Sequence, residues 1–266
     1  MYNCYIVRYH EIALKGGNRE FFERKLIDNI RVCLKRNRIL FEKIKNPRGR
    51  IVIHTRGDCS ILKHIFGIST FSKAVELDPD IERIKEVALN LYTKGSFRIS
   101  AQRSDKRFPI SSQQINEQVG EYLVKKTAAE VDLKNPSIDI GIEIFDNKAY
   151  MFTERIEGLG GLPIGTAGKV AVLLEAERSV LAAYMMMKRG CSVVFVKKKD
   201  IDFSVLEKYS YGSKLKVADK IPSGVKALVV NDMFGKVRNY QTSLVVLRPL
   251  ASFTKEGIEK FLKKIE

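Results

Sequence analysis

Four short runs rich in β-branched residues, KVAVLL (169–174), CSVVFV (191–196), VKALVV (225–230) and SLVVLRPL (243–250), constrain this chain most. Helical patterns separate them: one to Lys188, one through DFSVLEKY, a short stretch after VKALVV, and a terminal one through TKEGIEKFLKK. Strands alternating with helices predict a mostly parallel, doubly wound sheet with helices on both faces. In such folds a strand feeding a helix through a tight turn is a common phosphate site, because unpaired N–H groups at the helix start carry partial positive charge. Here that turn reads EAERSVL (175–181), with two glutamates and no glycine.

The residues before this segment follow two other patterns. Up to residue 77, CYIVRY reads as a strand, and Asn18 stands as cap to a helix with Phe22, Leu26, Ile30 and Leu34 at helical spacing. RILFEKI and GRIVIHT read as strands around a Pro-Arg-Gly turn, Asp58 as cap to a short helix with Leu62 and Ile65 inward, and TFSKAVEL as a closing strand. The order β-α-β-β-α-β is ferredoxin-like. In residues 78–157, Asp78 and Pro79 mark a helix start, SFRISAQ reads as a strand, and Ser111 with Gln114 reads as a capping box. SIDIGIEIF and AYMFTERI then form a hairpin across Asp146-Asn147-Lys148. GLGGLPIGTAG (158–168) reads as a linker, since a glycine run without a buried strand just before it is weak support for a phosphate loop. The expected fold class is therefore mixed α/β and α+β: a ferredoxin-like domain (1–77), a second domain (78–157), the linker (158–168) and a doubly wound parallel-sheet domain (169–266).

Charge narrows the partner. The 266 residues carry a net +16, which favours a polyanion, and nucleic acid first, through Coulomb attraction and counterion release. The first and third segments are each net +9, but the second is net −2, so Arg98, Arg103, Lys106 and Arg107 form a local basic feature in a near-neutral segment. No apolar run approaches the ~18 residues of a membrane span and no signal-peptide pattern opens the chain, so a cytoplasmic protein is expected. Cys4, Cys33, Cys59 and Cys191 lie far apart with no C-x-x-C pair, which argues against a zinc site. Cys33, on the apolar side of its helix, reads as a buried small hydrophobe. The run Met185-Met186-Met187 reads as core packing.

Several blocks in this order resemble the tRNA 4-thiouridine synthases, the tRNA sulfurtransferases: EIALKGGNREFF, FGISTFSKA, RISAQRSDKRFPISSQQINEQVG, MFTERIEGLGGLPIGTAGKV, AAYMMMKRG and VVLRPLASFTKEGI. The resemblance covers almost the whole chain. It implies a ferredoxin-like domain, a THUMP domain that binds RNA, and a PP-loop domain that uses ATP to adenylate a uridine. It also implies that the first two domains hold the acceptor end of tRNA, with Lys15 and Arg19 in ALKGGNR and Arg98, Arg103, Lys106 and Arg107 around RSDKRFP set against phosphates. Arg would bond them through its planar fork and Lys as a mobile point charge. Phe108 is open to two roles, stacking on a base or packing beneath the loop.

The third segment departs from that family. Where its pattern is a strand, an S-G-G-x-D-S loop and a helix, EAERSVL is one residue shorter and lacks glycine and the motif aspartate. Like charges ~4 Å apart cost roughly 4 kcal/mol at an effective dielectric near 20, so Glu175 and Glu177 oppose a phosphate. As helix-start carboxylates the same residues would stabilise the fold by about 0.3–1 kcal/mol each. Asn231-Asp232 stand where the family has Gly-Glu, Lys255 matches one of its functional lysines, and its catalytic cysteine has no counterpart in these residues. Arg178, Ser179 and Lys255 are the positions of a residual nucleotide contact. The expectation is a tRNA-binding protein without adenylation or sulfur transfer of its own and with no cofactor, although ATP serves the resembled family. The alternative is a working sulfurtransferase that depends on a partner for missing catalytic parts. The expected protein partner is a second copy or a modification enzyme.

Overall fold

In the computed structural model, residues 2–47, 49–233 and 235–265 are described. Arg48, at the centre of the expected Pro-Arg-Gly turn, and Phe234 lie outside them. The chain divides into two compact units: Met1–Arg8, Ile39–Cys59 and Thr70–Glu157; and Tyr9–Arg38, Ser60–Ser69 and Gly158–Glu266.

The first unit is built on one sheet. Strands β1 (Cys4–Arg8), β2 (Lys43–Lys45), β3 (Ile51–His54) and β4 (Thr70–Leu77) pair antiparallel in the order β2-β3-β1-β4, the ferredoxin-like strand order. The sheet continues from β4 through β7 (Lys148–Phe152) and β6 (Ile138–Phe145) to β5 (Phe97–Arg103), while β8 (Ile156–Glu157) also pairs with β4. Strand alternation sorts β6: Ile140, Ile142 and Ile144 enter a core with Ile84 and Ala88 of α2 (Ile81–Leu91) and Ile115 and Val119 of α3 (Ser112–Thr127). Burying each such isoleucine contributes about 1.5–3 kcal/mol. The opposite face gathers Ile6, Val52, Ala74, Phe145, Tyr150 and Phe152 into a second cluster. The hairpin turns at Asp146 and Asn147, both with positive φ, as a two-residue turn of the right twist requires. The Ser111–Gln114 capping box is present, but α2 is capped by Asp80, whose side chain accepts from the Arg83 N–H. Asp78 pairs instead with Lys148, because Pro79 extends the chain before the helix begins.

The second unit carries a parallel sheet ordered β11-β10-β9-β12-β13, made of β9 (Lys169–Leu174), β10 (Ser192–Lys197), β11 (Lys216–Ala218), β12 (Ala227–Val229) and β13 (Val245–Leu247). Val170, Val172 and Leu174 pack with α4 (Arg178–Lys188), and Ala171 and Leu173 supply the other face. Met187 is buried and Met185 and Met186 pack beside it. Phe66, Tyr184 and Tyr209 meet in this core, Tyr184 edge-on to both neighbours at 5.2 Å between centroids. The unit also holds α1 (Arg19–Arg36), whose Asn29 amide donates to the Ile164 carbonyl. Asn18 makes no side-chain cap, because a 3-10 turn at Gly16–Asn18 already leads into α1 in helical conformation. Two expected helices differ. DFSVLEKY forms a 3-10 helix at Ser204–Tyr209, and no helix forms in the described residues between β12 and β13. The glycine-rich stretch is pinned by Leu162 N–H to the Lys188 carbonyl and by Gly165 and Ala167 N–H to the Gly190 carbonyl. Gly161 is required there: its φ is +74°, and a Cβ would stand 2.3 Å from the Lys188 carbonyl oxygen.

Candidate functional site

From β9 the chain winds outward to β10 and β11, and from β12 it winds the other way to β13. The crevice beyond the carboxyl ends of β9 and β12 is thus the switch point at which open parallel sheets bind ligands. Several of the polar groups at its edge are tied together by the protein's own side chains. Ser179 Oγ, buried at the start of α4, accepts from the N–H groups of Glu175 (3.2 Å) and Ala176 (3.4 Å) and from Asn231 Nδ2 (2.8 Å). Arg178 Nε donates to the Asn231 carbonyl at 3.0 Å. Arg238 Nη2 donates to Glu175 Oε2 and to Asn231 Oδ1, each at 2.9 Å.

Beneath this lies Asp232, its side chain 0% exposed. It accepts from Arg238 Nε (2.9 Å) and backbone N–H (3.1 Å), from Arg248 Nε (3.1 Å) and from Tyr240 OH (3.1 Å). Burial pushes its carboxyl up, but hydrogen bonds from Arg238, Tyr240 and Arg248 outweigh that and hold it below the ordinary value. The N–H groups of Glu175 and Ala176 and the guanidiniums of Arg238 and Arg248, groups that could hold a phosphate, are therefore engaged within the protein.

The two glutamates sit at the start of α4 without a side-chain cap bond. Glu177 is the N-cap of α4 with helical φ and ψ and makes no side-chain cap, and Glu175 pairs with Arg238 at 2.9 Å. Ser179 already takes the N–H groups of 175 and 176, so the turn is satisfied from inside. Arg178 and Lys255 do come together, in the lining of a cavity of about 370 Å³ that also takes in Ile201, Ile258 and Leu262. Glu175, Glu177, Lys199 and Glu259 share that lining, and Lys255 lies 3.9 Å from Glu259, so acidic and basic side chains balance. Arg238 and Arg248 are not legible as site residues in the sequence. The one signal there is the pair Asn231-Asp232 directly after a buried strand, with arginines downstream.

The basic candidates divide between the units. In the second, Lys15 lies 5.2 Å from the centroid of the Phe22 ring, and Arg19 bonds Glu23 (2.6 Å) and Tyr9 OH (3.2 Å). In the first, Arg98 and Arg103 lie an odd number of residues apart on β5 and so face opposite sides of the sheet. Arg98 pairs with Asp139 and donates to the Leu133 carbonyl, whereas Arg103 Nη1 donates to the Phe108 carbonyl at 2.6 Å and braces the loop. Arg107 forms a fork on Asp105, whose carboxyl is held below its ordinary value by that guanidinium and by the Asn147 and Arg107 N–H groups. Lys106 and Arg107 are exposed. Phe108, 8% exposed, packs in the core with Ile115, which decides between its two roles. All four cysteines are buried, and no metal-ligand cluster and no helix long and apolar enough to cross a membrane is present among the described residues.

A ThiI ferredoxin-like domain model matches residues 4–72 and a THUMP domain model matches 80–154. A probable tRNA sulfurtransferase of Thermococcus kodakarensis is 33% identical over 335 residues, taking in 100% of this chain and 88% of that protein. Those aligned positions outnumber the 266 residues here, so the relative carries stretches that this chain lacks. Among solved structures, a protein of Pyrococcus horikoshii Ot3 is similar with a TM-score of 0.88 and 34% identity over 99% of both chains. A 4-thiouridine synthetase solved as an RNA complex with bound ATP is similar with a TM-score of 0.83 and 27% identity, over 100% of this chain and 85% of that one.

Proposed function

Because the chain belongs to the tRNA sulfurtransferase family, we propose that it binds tRNA and no longer carries out adenylation and sulfur transfer itself. The observation that carries this reading is the internal pairing of the turn's polar groups. Ser179 takes the backbone donors of the turn, and Arg238 is held by Glu175, Asn231 and Asp232. A nucleotide phosphate entering there would meet Glu175 and Glu177 and would have to break an internal network of charge-assisted bonds. The residues present do not fit ATP, and the protein acts as a binding subunit, chaperone or regulator of tRNA modification.

In this proposal the ferredoxin-like segment (1–77) and the THUMP segment (78–157) hold the acceptor-stem end, and the α/β segment (169–266) follows the linker (158–168). Of the candidates, exposed Lys106 and Arg107 contact RNA and Arg103 shapes their loop, while Lys15, Arg19 and Arg98 are each proposed as separate phosphate contacts. Retention of tRNA by the purified chain over a salt series tests the reading. Lys106→Ala/Arg107→Ala is expected to weaken binding and to flatten the slope of log K against log salt by about 2, near 1 for each phosphate no longer neutralised. A wild-type chain that does not retain tRNA at low salt overturns the proposal.

One observation favours a second reading. Arg178 and Lys255 share a cavity wall, as a sulfurtransferase completed by a partner, a second copy or a modification enzyme, would require. Loss of 4-thiouridine from cellular tRNA on deletion of the gene, restored by the gene, supports that reading.

A further inference from the structure

On the face of the first unit's sheet away from α2 and α3, three arginines meet one carboxylate. Glu143 on β6, its side chain 2% exposed, receives Arg8 Nε on Oε1 at 2.8 Å and Arg50 Nε on Oε2 at 2.7 Å. Arg155 Nη2 stands 3.6 Å from Oε1, an oxygen that Arg8 already occupies. Burial pushes the Glu143 carboxyl up, but the guanidiniums of Arg8 and Arg50 outweigh it and keep it ionised below the ordinary range. One negative charge thus faces three positive ones. A single arginine would neutralise the carboxylate, so ion pairing of Glu143 accounts for one guanidinium and not for the surplus.

The third guanidinium is held in place without using its donors. Arg155 lies 5.2 Å from the centroid of the Phe152 ring, and Arg8 lies 4.7 Å from the same ring. Among the described residues Arg155 donates no hydrogen bond, and its side chain is 48% exposed. The ring is itself fixed: a Cβ at Gly141 would stand 2.3 Å from Phe152 Cε2, so glycine is what lets Phe152 lie flat over β6. Beside it opens a cavity of about 140 Å³ lined by Arg155, Phe152, Gly141, Ser100 and Thr153 together with the carboxylates Asp139 and Glu154. Asp139 is paired with Arg98. Lys45, cross-strand partner of Val52, lies on this same sheet face. A planar cation set over an aromatic ring, steadied by a buried carboxylate and left with open N–H groups, is a preorganised fork for an oxyanion.

We infer that Arg155 and Arg50, steadied by Glu143, Arg8 and Phe152, bind a backbone phosphate of the RNA. This rests on the proposed tRNA binding and adds a site that the linear sequence does not display. Fluorescence anisotropy of labelled tRNA with the full chain over a potassium chloride series tests it, using wild type, Arg155→Ala, Arg155→Lys and the Lys106→Ala/Arg107→Ala loop variant. Arg155→Ala is expected to weaken binding roughly tenfold and to lower the salt slope by about 1, with an unchanged thermal midpoint. Arg155→Lys is expected to keep the slope and recover part of the affinity. An Arg155→Ala protein with wild-type affinity and slope, while the loop variant is weakened, overturns this site and leaves tRNA binding standing. A wild-type protein that binds no tRNA overturns both.

Discussion

Glu143→Ala is expected to lower the unfolding free energy by about 3–5 kcal/mol, the usual loss when one partner of a buried ion pair is removed. Its carboxylate is the point at which Arg8, Arg50 and Arg155 converge. Arg8, with 6% of its side chain exposed, cannot reach water to recover the lost interaction. Its bond to Ser72 Oγ at 3.0 Å is to a neutral acceptor. Urea unfolding measures the change. The folded carboxyl lies below its ordinary value, so the stability it contributes is full above about pH 4.3 and is lost as pH falls through the folded value. The gap between wild type and Glu143→Ala should therefore shrink as the pH is lowered from 7 to 3.

Asp232→Ala is the second large effect, about 2 kcal/mol, on the scale of hydrogen bonds to a charged group. Its carboxylate takes four donors from Arg238, Arg248 and Tyr240. The loss is smaller than at Glu143 because Arg238 and Arg248 are partly exposed and can turn to solvent. The sign of the pH dependence is the same, since this carboxyl is also held below its ordinary value. The same urea series should show the Asp232→Ala penalty fading below about pH 3.9.

What the chain's sequence displays is local or periodic. The Ser111–Gln114 box, the Asp146-Asn147 hairpin and the ferredoxin-like strand order are written in neighbouring residues and in period-2 or period-3.6 patterns, and they are present. The helix start expected at Asp78-Pro79 gives way to Asp80, which is closer to the apolar repeat of α2 and caps it. DFSVLEKY is too short to stabilise an α-helix and closes as a 3-10 helix. The turn's lack of glycine is plain in the sequence, yet its satisfaction by Ser179 depends on Asn231, 52 residues away. The arginine site is less visible still, because Arg8 and Glu143 are 135 residues apart and Arg50 and Glu143 are 93 apart, joined only by strand pairing. Separations of that size leave no pattern in a single sequence.

Whether the paired groups at the crevice exclude nucleotide while the chain still holds tRNA is decided by equilibrium dialysis of the full chain against labelled ATP with magnesium, run with and without tRNA. The tRNA is expected to be retained, with affinity falling steeply as salt rises, and no saturable ATP binding is expected at millimolar nucleotide. Saturable binding of ATP by the isolated chain, with or without tRNA, would contradict a closed site.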